Sequence, residues 1–288
     1  MGFHEGELAV QRQAGVGDMA DRLTGMLAPP DLTGGARLFL AERDLLVLTA
    51  RDRDGRLWTV PVLGRPGFLA VDAPDVLRVA ALPGEPLAAL TAGQDVGMIV
   101  IDFATRRRIR INGTVDATDH SGLSIVVDQA YGNCPRFIHP RFVHPAPNPV
   151  AAVWSDSLEA DHVRLIEHAD TFFLGTAHPS RGVDSSHRGG EPGFVTVHGG
   201  DLVWPDYPGN NMFNSLGNLA VDSGAALLFI DFDTGRTLHL SGNAAIEWNQ
   251  DRRVRFTPAK VVSGSLSTGW DKEQIAARIV LPGGRERT

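Results

Sequence analysis

The sequence predicts a mainly β chain, a tandem duplication of one small, partly open β-barrel with peripheral helices. Three collinear matches predict it. Ile101-Asp102-Phe103-Ala104-Thr105-Arg106-Arg107 recurs as Ile230-Asp231-Phe232-Asp233-Thr234-Gly235-Arg236, an offset of 129 residues (230 − 101). Gly64-Arg65-Pro66-Gly67-Phe68 recurs as Gly190-Glu191-Pro192-Gly193-Phe194 at an offset of 126 (190 − 64). Leu48-Thr49-Ala50 stands opposite Gly175-Thr176-Ala177, each closing a short apolar run.

Five segments follow in order. Residues 1–34 read as an N-terminal helical segment, with Val16, Met19, Leu23 and Met26 near helical spacing and a break at Gly15 and Gly17. Residues 35–120 form the first barrel, with a helical patch at Glu85 to Leu90 between strands and a hairpin in which Ile109, Ile111 and Gly113 match Leu238, Leu240 and Gly242 of the second copy. Residues 121–165 are a helical and Pro-rich linker. It opens on a helix over Gly122 to Tyr131, is restrained by Pro135, Pro140, Pro145, Pro147 and Pro149, and leads into a second helix over 157–169. Residues 166–250 form the second barrel, with its own helix over Asn211 to Ala220, and 251–288 a C-terminal tail with a short helix.

Composition narrows the function. Hydrophobic residues make up 43% and charged residues 21%, ordinary values for a folded globular chain. A net charge of −7 and a pI near 5.8 provide no global basic field, which argues against nucleic acid as partner. A single cysteine, Cys134, excludes an internal disulfide and a multi-thiolate metal site and suits a cytoplasmic location. No basic stretch precedes an apolar one at the N-terminus, and no apolar run approaches the roughly 20 residues of a membrane span. Neither a signal peptide nor a membrane partner is expected.

Duplication supplies an internal control: positions serving only the fold stay alike, whereas positions serving a site can diverge. Asp184-Ser185-Ser186-His187-Arg188-Gly189 stands opposite the apolar Trp58-Thr59-Val60-Pro61-Val62-Leu63, and Asn214 and Ser215 stand opposite Ala88 and Ala89. The second copy therefore carries two polar clusters that the first lacks. A bidentate cation, hydroxyl or amide donors and a helix start are what an organic phosphate requires. Strand alternation puts Ser186 and Arg188 on one face and Ser185 and His187 on the other, so Ser186 and Arg188 are the preferred pair. A solvated polar edge strand is the competing explanation.

The sequence resembles the pyridoxamine 5′-phosphate oxidase-like, FMN-binding split-barrel family, in its two-barrel flavin-nucleotide-binding branch. The residues that carry this are Asp170-Thr171-Phe172-Phe173-Leu174-Gly175-Thr176, Gly182 through Gly190, Asp206 through Asn218, Phe229-Ile230-Asp231-Phe232 and the linker motif Tyr131-Gly132-Asn133-Cys134-Pro135. The resemblance implies two split β-barrels and FMN as cofactor. By position it favours Ser186, Arg188, Asn214 and Ser215 for the phosphate, with Ser185, His187 and Asn211 beside them. Arg236, near the proposed site, joins the candidates, although its match to Arg107 equally suits a structural turn. An FMN-dependent oxidoreductase acting on a small molecule follows, with a reductase as a conceivable electron donor; a flavin- or haem-binding module without turnover is the alternative. The family's dimeric habit implies a homodimer or an intrachain pseudo-dimer. The Arg/Lys-rich phosphate set of the best-known oxidases is missing, which speaks against pyridoxamine phosphate as substrate.

Other residues have plainer explanations. Trp58 and Trp204 read as core tryptophans first, with Trp58 a wall of the cleft second. Cys134 reads as inert before it reads as a redox thiol. The ten histidines, His139 and His144 among them, show no metal-ligand spacing, so no metal is expected.

Overall fold

The computed structural model describes residues 2–27, 29–132, 134–209, 211–249 and 251–267. Two antiparallel sheets dominate them. The first is built from β1 (Leu45–Arg51), β2 (Leu57–Leu63), β3 (Leu69–Ala73), β4 (Val76–Val79), β5 (Asp95–Asp102), β6 (Arg107–Asp119) and β7 (Gly122–Gly132), in the order β2-β1-β5-β6-β7-β4-β3. After the short β8 (Val153–Ser155) comes the second, built from β9 (Thr171–His178), β10 (Gly182–Gly189), β11 (Thr196–His198), β12 (Asp201–Pro205), β13 (Gly224–Ile230), β14 (Arg236–Trp248) and β15 (Arg252–Ser265). Its order is β10-β9-β13-β14-β15-β12-β11, the same path strand for strand, with β8 added against β15. The tandem duplication is therefore structural fact.

Each sheet curls around its own core. In the first copy Leu46, Leu48, Trp58, Val60, Met98, Val100 and Ile111 meet inside the curve; in the second Phe172, Leu174, Trp204, Leu227, Phe229 and Leu240 do the same. Alternate residues on the outer faces are also buried, because the two copies pack face to face. Leu45, Val47, Ile99 and Ile101 meet Phe173, Leu228 and Ile230 there. Phe103 and its counterpart Phe232 touch edge to face at 5.2 Å between centroids, so a residue contacts its own equivalent as in an isologous dimer. Covering both faces explains why β1 and β9 are buried along nearly their whole length. Trp58 and Trp204 lie wholly in these cores.

Several expected boundaries are corrected. The helix expected over Gly122 to Tyr131 is the strand β7, with Leu123, Ile125 and Val127 buried at a period of two and the less buried Ser124 and Val126 between them. Likewise the segment from 252 is no tail but β15, with Val254 and Phe256 (125 + 129, 127 + 129) repeating Ile125 and Val127. Each barrel thus needs one more strand than 35–120 or 166–250 contains. The short helix expected in 251–288 lies outside the described residues. No helix forms at Glu85 to Leu90; six residues closed by Gly93 are too few to offset helix nucleation, and Leu87 and Leu90 are buried from turns instead.

The expected helices elsewhere form. The broken N-terminal segment is α1 (Glu5–Gln13), α2 (Gly17–Asp21) and a 3₁₀ turn at Thr24–Leu27, followed by α3 (Gly35–Ala41). The linker helix is α4 (Ala160–His168), and the second-copy patch is α5 (Asn214–Val221). Helix α1 crosses α5 at two glycines: a Cβ on Gly6 would stand 2.1 Å from the Gly217 carbonyl oxygen. Only glycine admits that approach, which brings Glu7 to Asn214. No helix among the described residues is long and apolar enough to cross a membrane.

Candidate functional site

Strand β10 supplies the polar face read from the sequence. Asp184, Ser186 and Arg188 share it, and Ser186 and Arg188 line a pocket of about 130 Å³ together with Asn211, Asn214, Ser215 and His187. The opposite wall comes from the first copy. Arg108 and Arg110 on β6 enter the same pocket, as do Cys134, Arg136 and Phe137 of the linker. The site is composite, half from each repeat.

Its polar groups form two braced sets. Arg110 is ion-paired with Asp184 and lies 3.3 Å from Ser215 Oγ. Ser215 Oγ donates to Asp184 Oδ2 at 2.9 Å and lies 3.0 Å from Ser186 Oγ, which donates to the Leu174 carbonyl at 3.2 Å. Arg188 pairs with Asp206 at 3.0 Å, and Arg252 holds the other oxygen of that carboxylate at 2.6 Å. The two serines therefore brace the strand, their protons already committed, and the free donors belong to the cations. Arg108, Arg110 and Arg188 each have a buried Nε–H without a partner among the described residues.

Burial sharpens the electrostatics. Desolvation, then the charges of Arg110 and Arg188, lower the Arg108 pKa to about 10. It stays charged at neutral pH, and among the described residues it faces no carboxylate within ion-pair distance. Its Nη1 lies 2.9 Å from His187 Nδ1. A guanidinium only donates, so Nδ1 accepts and the imidazole proton sits on Nε2, another buried donor without a partner among the described residues. Desolvation and the surrounding arginines hold His187 neutral, well below its ordinary pKa. Helix α5 completes the wall. Its N-cap Phe213, in a left-handed conformation (φ 61°), offers no side-chain acceptor, so the first turn is uncapped where it lines the pocket. The whole is a concentration of donors and positive charge suited to an anion.

Ser185 and Arg236 are corrected. Ser185 is fully buried outside this pocket. Arg236, at the start of β14, lines a separate surface groove with His139, Arg141 and Asp231, and its equivalent Arg107 stacks over Phe39. Arg108 and Arg110 were missed, although the signal was present in the repeat itself. They interleave with the aligned Ile109 and Ile111, and their counterparts are Thr237 and His239 (108 + 129, 110 + 129).

The pseudo-symmetric mate of this pocket is lined differently. Pseudo-symmetry places a second pocket where β2 meets β14, and Val62, Thr237 and His239 line it in place of Arg188, Arg108 and Arg110. His239 there bonds the Thr59 carbonyl and Thr237 at 2.9 and 3.1 Å, and burial lowers its pKa to about 4. The three arginines of one pocket thus have no cationic counterpart at the matching positions of the other.

Glu7 joins the site from α1. Its carboxyl accepts from Asn214 Nδ2 at 2.7 Å and from the His4 amide at 2.9 Å, and burial raises its pKa to about 7. A carboxyl raised from 4.5 contributes its full stability below pH 4.5 and loses it as pH rises through 7. Glu7→Gln is therefore expected to stabilise the protein at pH 8, by on the order of 2 kcal/mol, and to change little at pH 4.5. Asn214 Oδ1, now without a partner among the described residues, accepts the new amide after a flip. Thermal melts at the two pH values decide it; equal shifts at both dismiss the assignment.

No family model matches the sequence, and no curated protein does. Solved structures do match. A putative pyridoxamine 5′-phosphate oxidase from Lactobacillus delbrueckii is 15% identical, with 37% of this chain covering 94% of that one at a TM-score of 0.31. The FAD binding protein from Mycobacterium smegmatis is 12% identical, with 41% covering 100% at 0.29, and a putative pyridoxamine 5′-phosphate oxidase from Corynebacterium glutamicum is 11% identical, with 42% covering 97% at 0.30. The chain resembles the pyridoxamine 5′-phosphate oxidase-like split barrels.

Proposed function

We propose that the composite pocket binds the phosphate of FMN, one molecule per chain, and that the chain is an FMN-dependent oxidoreductase acting on a small molecule. The observation that carries this reading is the convergence of Arg108, Arg110 and Arg188, each with an unpartnered buried Nε–H, on one small pocket at the start of α5. Buried guanidinium donors without partners are costly unless an anion meets them, and a phosphate takes up several at once. When bound, the flavin supplies hydride or electron transfer, and the protein contributes position and electrostatics. Arg108 is the principal phosphate cation, Arg188 and Arg110 flank it from braced positions, and His187 donates through Nε2. Asp184, Asp206, Ser186 and Ser215 orient those cations.

The intrachain arrangement reproduces within one chain the two-protomer site of a dimer. Titration with FMN is expected to saturate at one equivalent per chain, since the mate pocket holds Val62, Thr237 and His239 at the positions of Arg188, Arg108 and Arg110. Two equivalents would show that the mate also functions, and no binding after reconstitution would end the flavin reading. Turnover is checked on the loaded protein: reduction by NAD(P)H or dithionite followed by substrate-dependent reoxidation supports an enzyme. Reduction without reoxidation by any small molecule favours a flavin-carrying module. A reductase partner and a cytoplasmic location belong to the same proposal.

A further inference from the structure

At about 130 Å³ the cationic pocket has room for a phosphate and the first atoms of its chain, well short of the ~300 Å³ and more of a site enclosing a drug-sized ligand. Whatever is attached to the phosphate must project through the mouth. There the pocket is lined by two aromatic rings from separate segments, Phe137 of the linker and Tyr207 after β12. They are stacked, 4.8 Å between centroids at 25°, and both remain more than one-third exposed, at 41% and 38%.

Neither ring is part of a core. Phe137 sits at φ 63°, and its carbonyl oxygen rests where Gly189 of β10 has no side chain, 2.1 Å from the position of an ideal Cβ. Glycine at the end of the phosphate-facing strand thus lets the linker lie across the mouth. Tyr207 is restrained between Pro205 and Pro208 and follows Asp206, the carboxylate that holds Arg188. The aromatic pair is coupled through covalent neighbours to both the strand and the cation below it.

We propose that Phe137 and Tyr207 form a ring-binding platform, so that this site selects phosphomonoesters carrying a planar aromatic system over those carrying only a polyol. Resting on the flavin-phosphate reading, this deepens it by assigning ring recognition to two residues outside the phosphate machinery. Offset stacking on the exposed face of the pair contributes about a tenfold gain, and the tyrosine, an electron donor to an excited flavin, quenches the emission of a ring held against the pair.

The test compares FMN with ribitol 5-phosphate, the same phosphorylated chain without the ring, by calorimetric titration. Wild type is expected to prefer FMN by about tenfold or more, and Phe137→Ala/Tyr207→Ala to bring the two affinities within threefold while leaving that for ribitol 5-phosphate unchanged. Tyr207→Phe keeps a stacking ring and loses the electron donor. It is expected to hold FMN with near wild-type affinity and brighter bound emission. A double variant that retains the wild-type preference, or bound emission unchanged in Tyr207→Phe, overturns the platform with the phosphate site intact. A wild-type protein that binds neither compound overturns the phosphate site and the platform with it.

Discussion

Arg108→Ala is expected to weaken FMN binding by about ten- to a hundredfold while leaving thermal stability unchanged or slightly raised. A charge-assisted contact to phosphate is worth roughly 1.5 to 3 kcal/mol, which sets the size of the loss. The stability arm follows from the surroundings. Arg108 is buried beside Arg110 and Arg188, its pKa lowered first by desolvation and then by both, so its removal relieves repulsion in the free protein. Arg188→Ala differs: it too should cost more than about tenfold in affinity, but it also removes a partner from Asp206, which keeps Arg252. Fluorescence titration and a melting curve on each variant check this. Unchanged affinity in Arg108→Ala would move the anion elsewhere. Because Arg108 belongs to the first repeat, its loss also distinguishes a composite site from one housed wholly in the second.

Gly97→Val is expected to destabilise the protein by about 3 kcal/mol and to impair binding as well. Gly97 on β5 faces β10 of the other repeat so closely that an added Cβ would stand 2.6 Å from the backbone of Asp184. Backbone cannot rotate aside as a long side chain can, so the two sheets must separate. Asp184 holds both Arg110 and Ser215, and a displaced β10 loosens the braced half of the pocket. Denaturant unfolding measures the first effect and FMN titration the second. A variant as stable as wild type would show that the sheets are not held at this distance.

Gly122 to Tyr131 was read as helix from local composition, yet Leu123, Ile125 and Val127 alternate at the strand period, and Val254 and Phe256 repeat two of them one offset later. Extending the repeat past Gly242 would have recovered β7 and β15 together. Similarly, the hairpin match rests on its shared apolar positions, Ile109 and Ile111, whereas the intervening Arg108 and Arg110 stand opposite Thr237 and His239. Asymmetry between copies was legible in both strands of the site and was read in only one. Ser186 and Ser215 line the pocket, but their hydroxyl protons are spent on Leu174 and Asp184, a fact of hydrogen-bond geometry that residue type does not carry.

By itself the sequence determined the duplication, the mainly β character, the face of β10 that carries Ser186 and Arg188, and the helix that follows Asn211, because these depend on period, identity and offset along one chain. Only the tertiary structure decided that the site is shared. Whether β6 of one repeat faces β10 of the other depends on how two curved sheets pack outer face to outer face, through Phe103 on Phe232 and Gly97 against Asp184, contacts between residues far apart in the chain. That packing turns two arginines of a repeat that looked like scaffold into the opposite wall of a cationic pocket, and leaves its pseudo-symmetric mate with Val62, Thr237 and His239 at the matching positions.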